Sequence, residues 1–155
     1  NLFKELKKNK IDGLIIVDLP YVESEEFLKK LNEEGVDLIR LISPTTTNER
    51  IRKILTSSSG YLYYISLKGV TGSDLKVSDE LEKRVSEIKN QTNLPVVVGF
   101  GIKDAETAKK MSMCSDGVVV GSKLVDEISK HPFDKDNLLK ENLTSIIGEL
   151  REGIS

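Results

Sequence analysis

Residues Val96–Ser122 read VVVGFGIKDAETAKKMSMCSDGVVVGS, two valine runs, each closed by glycine, on either side of a segment with helical spacing. A short continuous run of β-branched residues fits a strand buried on both faces. Ala105, Ala108 and Met111 recur at helical intervals between the runs. The stretch is therefore a strand–helix–strand unit, and a helical crossover of this kind joins parallel strands. Both strands end in glycine turns, Gly99-Phe100-Gly101-Ile102 and Gly121-Ser122. Without a Cβ, such turns bring backbone N–H groups close to an oxyanion.

The same unit repeats toward the N-terminus. Leu14-Ile15-Ile16-Val17, Leu38-Ile39-Arg40-Leu41-Ile42 and Tyr61-Leu62-Tyr63-Tyr64-Ile65 read as three further strands. Between them, Phe27, Leu28 and Leu31 share a helix face, as do Ile51, Ile54 and Leu55, and Leu81, Val85 and Ile88. Thr46 followed by Glu49 predicts a capping box at a helix start. Strand starts at Leu14, Leu38 and Leu62 are evenly spaced, whereas the interval to Val96 is about ten residues longer. The excess falls around Leu67 to Val77, directly after a strand, and contains Gly69-Val70-Thr71-Gly72. Loops in that position carry function in parallel α/β folds, so this one is a candidate mobile lid; a variable surface insertion is the alternative.

Alternating strands and helices suit a doubly wound sheet and a closed barrel alike. Glycine turns after the last three strands favour the barrel, where a phosphate often sits between the loops after strands 7 and 8 and a short extra helix. Ser122–Ile128 is the candidate for that short helix, and Leu138, Leu139, Leu143, Ile146, Ile147 and Leu150 mark a longer closing one. The expected fold is thus α/β, a (β/α)8 TIM barrel represented by a C-terminal portion with about five parallel strands. Residues 1–155 form a single domain lacking the first three strand–helix units. An apolar helical pattern at Leu2, Phe3 and Leu6, with no initiator Met, suggests a chain that begins inside a larger protein.

Composition narrows the function classes. A formal net charge of -2 with 5% aromatic residues offers neither a basic tract nor stacking platforms for nucleic acid. No apolar run approaches the length of a membrane span. The lone Cys114 excludes a disulfide framework and a zinc cluster, and a reducing cytoplasm is the simplest compartment.

Gly72, Gly99, Gly101, Gly121 and Ser122 form a proposed phosphate cradle, aided by the helix dipole that starts near Ser122. Tight βα turns alone are the competing explanation for these glycines. Tyr61 and Tyr63 share one strand face, and Tyr63 with Phe100 suits the wall of a flat aromatic ligand; core packing explains them as well and is preferred on the residues alone. Asp18, at the end of the first strand, is a candidate base, with a turn residue before Pro20 slightly preferred. His131 reads as a surface residue and Cys114 as a small buried filler. No paired carboxylates, nucleophile set or metal cluster emerges.

Six segments in order resemble the tryptophan synthase α subunit family: Ile16–Pro20, Ser43–Thr46, Gly60–Ser66, Gly69–Gly72, Gly99–Ile102 and Gly121-Ser122. The resemblance spans essentially the whole chain and implies barrel strands 4 to 8. It implies a lyase of tryptophan biosynthesis that cleaves indole-3-glycerol phosphate to indole and glyceraldehyde 3-phosphate. On the matching positions, Gly72, Gly101, Gly121 and Ser122 bind the substrate phosphate. Phe100 contacts the indole, Tyr63 lines its pocket and Thr71 supports closure of the loop. The family's catalytic glutamate and aspartate belong to strand 2 and the loop after it, upstream of Asn1, so no catalytic residue is assigned in this chain. A β subunit carrying pyridoxal phosphate is the implied partner in a heterotetramer, and this chain itself holds no cofactor. Leu67-Lys68 departs from members with a polar or basic residue at the first position. A phosphate-binding half-barrel or partner-interaction fragment without catalysis is the alternative.

Overall fold

A computed structural model describes residues 2–17, 19, 24–65, 79–99, 101–131 and 138–154. Helices and strands alternate: α1 (Leu2–Lys8), β1 (Gly13–Ile15), α2 (Ser24–Glu34), β2 (Asp37–Ile42), α3 (Asn48–Leu55), β3 (Leu62–Ile65), α4 (Asp79–Lys89), β4 (Val96–Gly99), α5 (Ala105–Ser112), β5 (Gly117–Val119), α6 (Ser122–Lys130) and α7 (Leu138–Ile154). All strand pairs are parallel, and the sheet order is β1-β2-β3-β4-β5. That order distinguishes the two candidate architectures. A doubly wound sheet reverses direction at a switch point. Here each strand adds beside the last, and with right-handed crossovers every connecting helix falls on the same face. This is the winding of a barrel.

Burial alternates accordingly. Leu62, Tyr64, Val96 and Val98 point to the helices and are buried with Ile51, Val85, Ile88 and Met111. Residues of opposite parity, Leu41, Tyr63, Ile65 and Val97, are half-buried on the other face. The tyrosine strand therefore splits as alternation requires, Tyr64 into the core and Tyr63 away from it. A second cluster packs Leu6 of α1 and Leu31 of α2 against Leu38. Arg40 interrupts the helix-facing row at 8% exposure, donating from Nη1 to the Leu19 carbonyl at 3.1 Å. Its desolvation pulls the guanidinium below its ordinary pKa.

Two local expectations change. The capping residue of α3 is Thr47, whose hydroxyl accepts from Arg50 N–H at 3.3 Å. Thr46 instead accepts from Ser43 N–H at 3.0 Å, closing the preceding turn. A threonine hydroxyl serves either role, so the pattern in sequence leaves the helix start ambiguous by one residue. The apolar stripe of α7 is also wider than the surface that covers it. Leu150 is buried and Ile146 packs on the core, whereas Leu138 and Ile147 stand 47% and 51% exposed. Near its end α7 meets α5 at close range: a Cβ on Gly153 would lie 2.6 Å from the Ala105 carbonyl oxygen.

Candidate phosphate and ring site

The loop from Leu67 to Val77, with Gly69, Thr71 and Gly72, lies outside the described residues, as do Phe100 and Asp18. Tyr63, Gly101, Gly121 and Ser122 are described, and the register brings their strands together. Tyr63 pairs with Val97, while Gly99 pairs with both Ile65 and Val119. Gly101 and Gly121 each follow a member of the Gly99–Val119 pair by two residues. The two turns therefore leave neighbouring strands side by side.

Each glycine does something different. Gly101 adopts φ +68°, the left-handed region that strains a residue with a Cβ. Gly99 has an ordinary backbone, but a Cβ there would lie 2.6 Å from Cε2 of Tyr63. Its bare backbone is the seat of the Tyr63 ring. Among the described residues, Gly121 caps α6 without any side-chain hydrogen bond, and nothing lies within 4 Å of a Cβ built on it. Leu124 and Val125 N–H both donate to the Gly121 carbonyl, at 3.0 and 3.1 Å. The N–H groups of Ser122 and Lys123, at the very start of the same turn, have no intrahelical acceptor by construction.

Electrostatics sets α6 apart. Every other described helix carries Asp or Glu in its first turn, and α6 has none. Its positive dipole end is thus neither capped by a side chain nor balanced by an internal acid, and it favours an outside anion. Lys123 lies close enough to Asp104, the cap of α5, to help hold that carboxylate ionised. The starts of α5 and α6 therefore share one local field. Tyr63 contributes a neutral wall, since burial first and the Tyr61 hydroxyl second push its phenol up.

Asp104 itself accepts at Oδ1 from Thr107 N–H (2.8 Å) and from its hydroxyl (2.7 Å). These two bonds, the backbone one first, hold its carboxyl below the usual range. The depressed folded value means stability present above the unfolded pKa of about 3.9 and lost as pH falls through the folded one. Asp104→Ala should cost about 1 kcal/mol at neutral pH. In urea melts the gap to the parent protein should narrow below about pH 4. A gap independent of pH would mean the cap does not act through its charge.

Sequence reasoning missed a polar cluster at the far end of α6. His131 is a partly buried helix cap, not a surface residue, with Nε2 3.3 Å from Glu127 Oε1. Asn142 of α7 donates to that same oxygen at 2.9 Å. The Glu127–His131 spacing is visible in sequence; the approach of Asn142 is not. Cys114 packs beside the core as expected, its thiol pushed up chiefly by burial. Among the described residues, no three His, Cys, Asp or Glu side chains are grouped to hold a metal. No described helix is long and apolar enough to cross a membrane.

The family model for the tryptophan synthase alpha chain matches residues 1–155. The chain belongs to the tryptophan synthase alpha chain family. The alpha chain of Marinobacter nauticus is 46% identical over 144 residues, 93% of this chain and 53% of that protein. That of Aromatoleum aromaticum is 41% identical, over 96% and 54%. Among solved structures, the Legionella pneumophila alpha chain superposes with TM-score 0.79 at 35% identity, over 98% of this chain and 55% of that one. A chain of the Pyrococcus furiosus tryptophan synthase α2β2 complex gives TM-score 0.81 at 31% identity, over 98% and 60%. The chain thus spans about half the length of the alpha chains it matches. Its five parallel strands and alternating helices follow their architecture.

Proposed function

We propose that the whole protein is a lyase of tryptophan biosynthesis, cleaving indole-3-glycerol phosphate to indole and glyceraldehyde 3-phosphate. Within it, Gly72, Gly101, Gly121 and Ser122 hold the phosphate, Phe100 and Tyr63 flank the indole, and Thr71 supports loop closure. The observation that carries this reading is the α6 N-terminus, uncapped and free of acidic residues, beside the left-handed Gly101 at the ends of paired strands. Backbone donors in that arrangement grip a phosphate monoester without distinguishing the rest of the substrate. The half-buried Tyr63 above Gly99 supports a flat apolar group alongside.

Cleavage needs an acid that protonates the indole ring carbon and a base that takes the proton of the neighbouring glycerol hydroxyl; the carbon–carbon bond then breaks. Family resemblance assigns both to carboxylates upstream of Asn1, and this chain supplies binding. Phosphate binding anchors the glycerol chain so that the breaking bond meets those groups, and loop closure excludes water. The partner is a β subunit carrying pyridoxal phosphate, which receives the indole, and the compartment is the cytoplasm.

Full-length protein should release indole from indole-3-glycerol phosphate, whereas this chain alone should bind glycerol phosphate and release none. Failure of the full-length protein to turn over sinks the lyase reading and leaves a phosphate-binding half-barrel. Indole released by this chain alone would overturn the upstream placement of acid and base.

A further inference from the structure

The helix that aims the phosphate donors is only partly anchored by apolar burial, with Leu124 half-buried. No residue of α6 is buried, and Val125 and Ile128 stand 61% and 47% exposed. An amphipathic helix is ordinarily fixed by its apolar face. Here the most sheltered polar side chain is Glu127, 13% exposed. Its Oε1 accepts from Asn142 Nδ2 of α7 at 2.9 Å and lies 3.3 Å from His131 Nε2. Its Oε2 pairs with Lys130 at 2.9 Å, so both oxygens are engaged. Asn142 Nδ2 also lies 3.4 Å from His131 Nε2, closing the cluster.

We propose that Glu127 is a positioning residue for the phosphate cradle, acting through α6, which it latches to α7 by way of Asn142. The inference rests on the cradle reading above. α7 is the fixed body: Leu150 reaches the core, and Gly153 sits against the backbone of Ala105. α6 is tied to the sheet at its start through Val120 and Gly121, which follow β5 directly. Glu127 supplies the second fixed point, and two points set the axis of a short helix. That axis aims the N–H groups of Ser122 and Lys123, and misplacing such donors by about 1 Å costs binding steeply. Lys130, the first cause, and then Asn142 hold the Glu127 carboxyl below its usual range, so the latch is charged at neutral pH.

The test uses full-length protein with Glu127→Ala, Asn142→Ala, the double variant and Glu127→Gln. Calorimetry with inorganic phosphate gives Kd, and steady-state kinetics on indole-3-glycerol phosphate separates KM from kcat. Each alanine variant should raise Kd and KM about tenfold, with kcat within about twofold. The double variant should be no worse than the weaker single, because both break one contact. Glu127→Gln keeps an oxygen for Asn142 and should retain most of the affinity. Unchanged phosphate Kd in both alanine variants, or a double variant whose losses add, overturns the latch while leaving the cradle standing. Absence of phosphate binding by the unsubstituted protein overturns the cradle and this role together.

Discussion

Gly121→Asp should stabilise the fold and abolish phosphate binding in the same molecule. Among the described residues, a Cβ at this position meets nothing within 4 Å, so the substitution clashes with none of them. An aspartate at the N-cap would accept from the first-turn N–H groups that now lack a side-chain partner. It would also complement the helix dipole, for a gain of about 0.5–1 kcal/mol. The same carboxylate would occupy the place of the ligand. At about 4 Å from a phosphate, repulsion in a partly screened site is several kcal/mol, enough to raise Kd by a hundredfold or more. Thermal melts with and without inorganic phosphate read both effects: a higher Tm without phosphate, and no further rise on adding it. If Gly121 serves only a tight turn, Gly121→Asp will leave the phosphate-dependent rise in Tm intact.

Gly99→Ala should be the most damaging single-atom change at the site. The added Cβ would lie 2.6 Å from Tyr63 Cε2, well inside contact distance. The ring must move, because the Gly99 backbone is held in register with Ile65 on one side and Val119 on the other. Overpacking of this kind costs about 1–3 kcal/mol of stability. In the proposed lyase it also displaces a wall of the ring pocket, so KM for indole-3-glycerol phosphate should rise about tenfold or more. Phosphate Kd should change far less, since Gly99, read from sequence as part of the cradle, instead seats the Tyr63 ring, while Gly101, Gly121 and Ser122 lie beyond the strand ends. Adding Tyr63→Leu should recover stability non-additively, as expected of two residues in contact. Additive losses would place the ring elsewhere than above Gly99.

Much of this architecture is legible in the sequence, for a local reason. Valine runs such as Val96–Val98 and stripes such as Leu81, Val85 and Ile88 carry their period within a few residues. All five strands occur where those runs predict them, with ends shifted by a residue or two. Glycines at strand ends likewise announce turns, although they do not say what each glycine is for. Gly99, Gly101 and Gly121 look alike in sequence. One seats a tyrosine, one takes a left-handed backbone, and one leaves a helix end uncapped.

By itself the sequence determined the alternation of strand and helix, the placement of glycine turns after strands, and the family pattern of those turns. Only the tertiary structure supplied the sheet order, which bears out the barrel winding that the glycine turns favour over a doubly wound sheet. It alone brought Tyr63 over Gly99 and Asn142 to Glu127. Local periodicity is written in neighbouring residues, whereas strand order and helix-to-helix contact join residues far apart in the chain. Those pairings are fixed by packing of the whole core, and no local pattern encodes them.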